Sequence, residues 1–85
     1  MSQIIVSSRI RKRHPNIDDE DVVHAFKSML RHKQREGDEY IAIGADSKGR
    51  ILEMVYIYNF EHDFFLVYHA LIPPTKKTLN ELEMN

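Results

Sequence analysis

The stretch GDEYIAIGADSKGRILEMVYIYNFEHDFFLVYHALIPP, Gly37 to Pro74, decides the fold. It is rich in Ile, Val, Tyr and Phe and is broken by clusters of turn residues, the pattern of strands whose side chains pack on a pleated surface. Three strands are expected: EYIAIGAD (Glu39 to Asp46), ILEMVYIY (Ile51 to Tyr58) and DFFLVYHALI (Asp63 to Ile72). The turn SKGR calls on Gly49 for a positive φ angle. The second connection, NFEHD, spans Asn59 to Asp63, and Pro73 and Pro74, which cannot donate to a ladder, end the sheet. The reading is a three-stranded antiparallel meander.

On the amino-terminal side the periodicity becomes helical. SSRIRKRH begins a short basic helix that Pro15 stops, because proline disfavours helical geometry at His14. Asp18 then suits an N-cap with Asp21 three residues on, and Asp19 and Glu20 complement the positive helix end. Val22, Val23, Phe26, Met29 and Leu30 recur at helical spacing, which predicts an amphipathic helix running on to RHKQREGD, where Gly37 breaks it. Beyond the prolines, TKKTLNELEM predicts a short terminal helix around Leu79 and Leu82. The fold class expected is α/β (α+β): two N-terminal helices, the meander and a short C-terminal helix in a single domain, residues 1–85.

Composition narrows the functional classes. A chain of 85 residues buries only roughly 60–65% of its unfolded surface, so stabilisation by a partner is plausible. Without cysteine there are no disulfides, thiolate nucleophiles or zinc ribbons. The apolar run in MSQIIVSSRI is too short for a signal peptide or a membrane span, so a soluble, cytoplasmic protein with no membrane partner is expected. Net charge is −1 but unevenly spread: Ser7 to Arg35 holds eight Lys or Arg against four acids, and Glu36 to Asn85 nine acids against four bases. A basic first third can attract nucleic acid or an acidic partner segment, or can simply be a solvated helix face. His24 and His32 lack a third ligand, which leaves no metal site, and IGADSKGR lacks the glycine spacing of a phosphate loop. No cofactor is expected.

The second hairpin yields the sharpest inference. If Tyr58 pairs with Phe64, Glu53 falls opposite His69 and a carboxylate faces the imidazole. Such a pair can tune histidine for proton transfer, or can be two ordinary polar members of a half-exposed face. Strict alternation along FLVYHAL puts His69 on the side of Phe65 and Val67 and away from Tyr68.

Three segments in this order, RHPNIDDEDVVHAF, YIAIGADSKGRILEMVY and VYHALIPPTKKTLNEL, resemble the BrnT-type toxins within the RelE/ParE group, over about Arg13 to Leu82. The resemblance implies a RelE-like fold and the toxin of a type II toxin–antitoxin module, an endoribonuclease acting on messenger RNA and held by a cognate antitoxin protein. The matched positions are Arg13 and His14 before the long helix, Gly49 and Arg50 at the hairpin, and His69 in the last strand. The chain departs from the pattern where BrnT-like proteins carry an arginine soon after the last strand's small residue; here HALIPP stands instead, with Lys76 and Lys77 further on.

Metal-independent RNA cleavage needs a base for the 2′-hydroxyl proton, cations for the charge on the phosphorane-like transition state, and an acid for the leaving oxygen. His69 or Glu53 is the candidate base and His14 the candidate acid. Arg13, Arg50, Lys76 and Lys77 are candidates for the electrostatic clamp and for RNA binding. The alternative is a catalytically silent protein- or RNA-binding domain, for which the six aromatics between Tyr56 and Tyr68 offer a stacking or docking surface.

Overall fold

The computed structural model describes residues 2–84 as a mixed α/β domain built on one five-stranded sheet. In chain order the elements are β1 (Gln3–Val6), α1 (Ser8–Arg13), α2 (Asp19–Lys27), β2 (Met29–Gln34), β3 (Glu39–Ala45), β4 (Ile51–Asn59), β5 (Phe64–Leu71) and α3 (Lys76–Glu81). The sheet order is β1-β5-β4-β3-β2, with β1 parallel to β5 and every other pair antiparallel. The expected three-stranded meander with two leading helices is thus corrected in two places.

The first correction is β1, four residues that pair with Phe64 to Val67 and then leave the sheet, so that the far half of β5 keeps an open margin beside α1. The second is β2. The long helix does not run to Gly37: α2 ends at Lys27, and MLRHKQ pairs with β3 instead. A longer helix would leave the outer backbone groups of buried β3 without partners, and that cost outweighs the helical spacing of Met29 and Leu30. The register shift between Met29 and Arg31 leaves Leu30 59% exposed, and a short, charged, bulged strand is how natural sheets protect an edge.

The start of α2 follows the expectation from sequence. Asp18 accepts the Asp21 amide at 2.9 Å and Asp21 accepts the Asp18 amide at 3.1 Å, a reciprocal capping box. The helix then lies directly on the sheet: a Cβ added at Gly44 would sit 2.0 Å from the Ala25 carbonyl oxygen, so only glycine permits this approach. Gly49 takes a positive φ of 79° in the β3–β4 turn, as expected.

Both faces of the sheet are covered. Ile10 of α1 and Val22 and Ala25 of α2 pack with Ala42, Leu52, Met54, Tyr56, Val67 and Ala70. On the opposite face Leu82, at the end of α3, packs with Ile41, Ile43 and Val55. Among the described residues no helix is long and apolar enough to cross a membrane.

The β4–β5 register sets the site. Asn59, not Tyr58, pairs with Phe64, so the ladder is one step away from the pairing expected from sequence. A bulge at Tyr68 then adds a second step: Tyr56 faces Val67, yet the next pair is Val55 with His69. Two one-residue steps restore the original parity, leaving Glu53 opposite Leu71 and diagonal to His69 on the same face. The bulge also overturns the alternation argument. Val67 and Ala70 both enter the core under α1 and α2, whereas Tyr68 and His69 stand together on the α3 side.

Candidate functional site

Glu53 is the centre of the site, a carboxylate only 5% exposed in the middle of the sheet. His69 Nε2 donates to its Oε2 at 2.8 Å. The Thr75 amide donates to Oε1 at 2.8 Å and the Thr75 hydroxyl to the same oxygen at 3.1 Å. Thr75 is also the N-cap of α3, accepting the Thr78 amide at 3.2 Å, so the start of the last helix and the dyad are one hydrogen-bonded unit. Burial pushes the Glu53 carboxyl up, but the bonds from the Thr75 backbone, His69, and the Thr78 and Thr75 hydroxyls outweigh it and hold the group below its ordinary 4.5.

This arrangement sorts the two candidate bases. Both oxygens of Glu53 are engaged and its side chain is only 7% exposed, so Glu53 acts as the acceptor that orients the ring. The His69 side chain is 38% exposed, and with Nε2 given to Glu53 its Nδ1 is the nitrogen left to exchange a proton.

His69 borders two clefts. One, of ≈ 260 Å³, lies at the margin of β5 that β1 leaves open and is flanked by Arg9 and Arg13 of α1 and by His14, the C-cap of that helix. The spacing of Arg9 and Arg13 puts both on one face of that short helix. The other, of ≈ 350 Å³, lies on the α3 side and is bordered by Tyr68, Thr75 and Lys77. His69, Glu53, Arg13 and His14 are therefore brought together, Lys77 approaches from the other side, and Lys76 borders neither cleft.

Arg50 is not part of this group. Its Nε donates to Asp46 at 2.8 Å, Nη2 to Asp21 at 2.9 Å and Nη1 to the Asn16 carbonyl at 3.0 Å. Asp21 and Asp46 are both 3% exposed, and Asp46 also accepts the Lys48 and Arg50 amides. Arg50 locks the β3–β4 turn to the start of α2, a structural role in place of the electrostatic one expected for it.

Three residues outside the set of expected site residues belong to the surroundings of the site. Arg9 has the same one-face spacing as Arg13 within the basic run, which was a usable signal. Thr75 carries a signal too, since a threonine after a double proline and three residues before Thr78 is a natural N-cap. Tyr68 had none, because only the bulge turns it beside His69. Its hydroxyl donates to Glu39 Oε2 at 2.5 Å, and burial, with that bond and the nearby charge, pushes it up to about 12. Glu39 accepts Arg35 as well, at 3.1 Å, and Arg35 grips Glu81 of α3 through two bonds of 2.7 Å. This chain of contacts fastens the end of α3 over the sheet.

Compared with family models, curated proteins and solved structures, the chain gives no match. The chemistry rests on the geometry. His69, His14, Arg9 and Arg13 line the α1-side cleft, and the His69 ring is anchored to Glu53 on the α3 side, a set of residues suited to a phosphodiester.

Proposed function

We propose that the protein is a toxin-like endoribonuclease that acts on messenger RNA in the cytoplasm and is restrained by a cognate antitoxin. The single observation that carries the reading is the buried Glu53 carboxylate holding His69 at the edge of a cleft flanked by Arg9, Arg13 and His14. A buried carboxylate behind an exposed imidazole orients the ring and stabilises the imidazolium formed when it takes a proton.

In the proposed reaction His69 removes the 2′-hydroxyl proton, and the 2′-oxygen bonds to the adjacent phosphorus as the bond from phosphorus to the 5′-oxygen breaks. His14 gives a proton to that 5′-oxygen, and Arg13 with Arg9 neutralises the charge on the non-bridging oxygens. The products are a 2′,3′-cyclic phosphate and a 5′-hydroxyl. Side chains supply base, acid and charge, so cleavage is expected to continue with a chelator present. Incubating the purified protein with single-stranded RNA and EDTA, and identifying the new ends, tests this; 3′-hydroxyl and 5′-phosphate ends, or no cleavage, would exclude the mechanism.

A second reading, a silent binding domain, is favoured by one feature. Phe60 is 76% exposed at the β4–β5 loop and stacks edge-on with Tyr58 at 4.8 Å, an aromatic pair presented to solvent. Under that reading induced expression leaves growth unchanged, whereas the ribonuclease reading requires arrest that His69→Ala relieves.

A further inference from the structure

The two clefts that meet at His69 differ in how their charges are committed. On the α1 side Arg9 and Arg13 form no ion pair among the described residues. On the α3 side the carboxylates are occupied: Glu53 by His69 and Thr75, Glu39 by Tyr68 and Arg35 Nη1, Glu81 by Nε and Nη2 of Arg35. Arg35 is consumed by the same contacts. Lys77 is the remaining cation of that cleft, close enough to Glu81 to lower its carboxyl but without a salt bridge to it.

A single phosphodiester held against Arg13, His14 and His69 lies on one side of β5 and leaves Lys77 unused. We propose that a single-stranded RNA crosses the open margin of β5 at His69, with the scissile phosphate on the α1 side and a neighbouring phosphate on Lys77, so that the substrate is a strand with more than one phosphodiester. The inference rests on the ribonuclease reading and adds to it a substrate length and a strand path. Two clefts on opposite sides of β5 that share Tyr68 and His69 as lining residues call for a backbone that bends locally, which a single strand does and a stiff duplex does not.

Lys76 provides a charge-matched control, being next in sequence and outside both clefts. Binding of a fluorescent 2′-O-methyl oligoribonucleotide, which lacks the attacking hydroxyl, is measured at several salt concentrations for the wild type, Lys77→Ala and Lys76→Ala. Lys77→Ala is expected to weaken binding about fivefold and to reduce the slope of log Kd against log salt by about 0.7, the value for one phosphate contact on a single strand. Lys76→Ala is expected to change neither. In parallel, cleavage of an unmodified oligoribonucleotide and of the dinucleoside phosphate UpA is compared. Lys77→Ala should slow the first and leave the second, which has only the scissile phosphate, at the wild-type rate. Equal effects of the two lysine variants, equal slowing of both substrates, or no oligonucleotide binding overturns the strand path. A slope change seen for Lys77→Ala and not for Lys76→Ala, together with a wild-type protein that cleaves neither substrate, would uphold the path and remove the ribonuclease reading.

Discussion

Glu53 joins two roles in one side chain, since it orients His69 and it receives the first turn of α3 through Thr75. The two roles separate by substitution. Glu53→Ala leaves the Thr75 amide and hydroxyl without their acceptor and should cost about 1–3 kcal/mol in chemical denaturation. Glu53→Gln retains an oxygen for Thr75 but removes the charge facing the imidazole, so RNA cleavage should fall more steeply than stability; equal losses in both would show that the carboxylate serves only the fold. Gly44 is a residue of a different kind, where nothing but a hydrogen fits beneath the Ala25 carbonyl. Gly44→Ala should destabilise by about 1–3 kcal/mol through overpacking, read as a lower denaturation midpoint with an unchanged slope.

At the level of elements, the three apolar strands and the capped start of α2 were legible because their patterns come from burial and from a local hydrogen-bonded box. Two strands were not. QIIV is too short to show a period, and MLRHKQ has the long unbranched side chains of a helix, its strand state being imposed by the edge of β3. The pairing of Glu53 with His69 was legible as a contact, but its face was not, because a bulge adds a residue without leaving a mark in the alternation. Arg50 was misplaced for a related reason: the carboxylates that hold it, Asp21 and Asp46, look like a helix start and a turn residue, and only the fold brings them together. Arg50→Ala should therefore lower the melting temperature by several degrees and leave cleavage per folded molecule at the wild-type level. A stable variant without activity would return Arg50 to the site.

For the whole molecule, stability and activity should respond to pH through identifiable groups. Burial raises the carboxyls of Asp21 and Asp46, but donated hydrogen bonds and cations hold them below their ordinary 3.8; the Tyr68 hydroxyl and Arg35 lower Glu39, and Arg35 lowers Glu81, as Thr75 and His69 do Glu53, below 4.5. Each folded-state value lies beneath its unfolded one, so the contribution is complete above about pH 4.5 and is lost as pH falls through the folded values. Tyr68 works in the other direction. Its value is raised from 10.0 to about 12, so its contribution is present below pH 10 and lost as pH climbs toward 12. A melting temperature that falls below about pH 4.5 and again above about pH 10 is expected, with the alkaline fall reduced in Tyr68→Phe; an unchanged alkaline limb in that variant would remove Tyr68 from the network that fastens α3.

The central claim is that His69, held by Glu53 at the bulge, is the base that starts RNA cleavage. Side-by-side measurement of oligoribonucleotide cleavage and denaturant stability for the wild type and His69→Ala tests it most directly. The expected result is a loss of at least about 100-fold in cleavage, with a stability loss of about 1–3 kcal/mol because the buried Glu53 Oε2 loses the imidazole that donates to it, so the folded fraction alone does not account for the lost activity. A His69→Ala protein that cleaves at the wild-type rate, or loses activity only in proportion to the protein that unfolds, would contradict it.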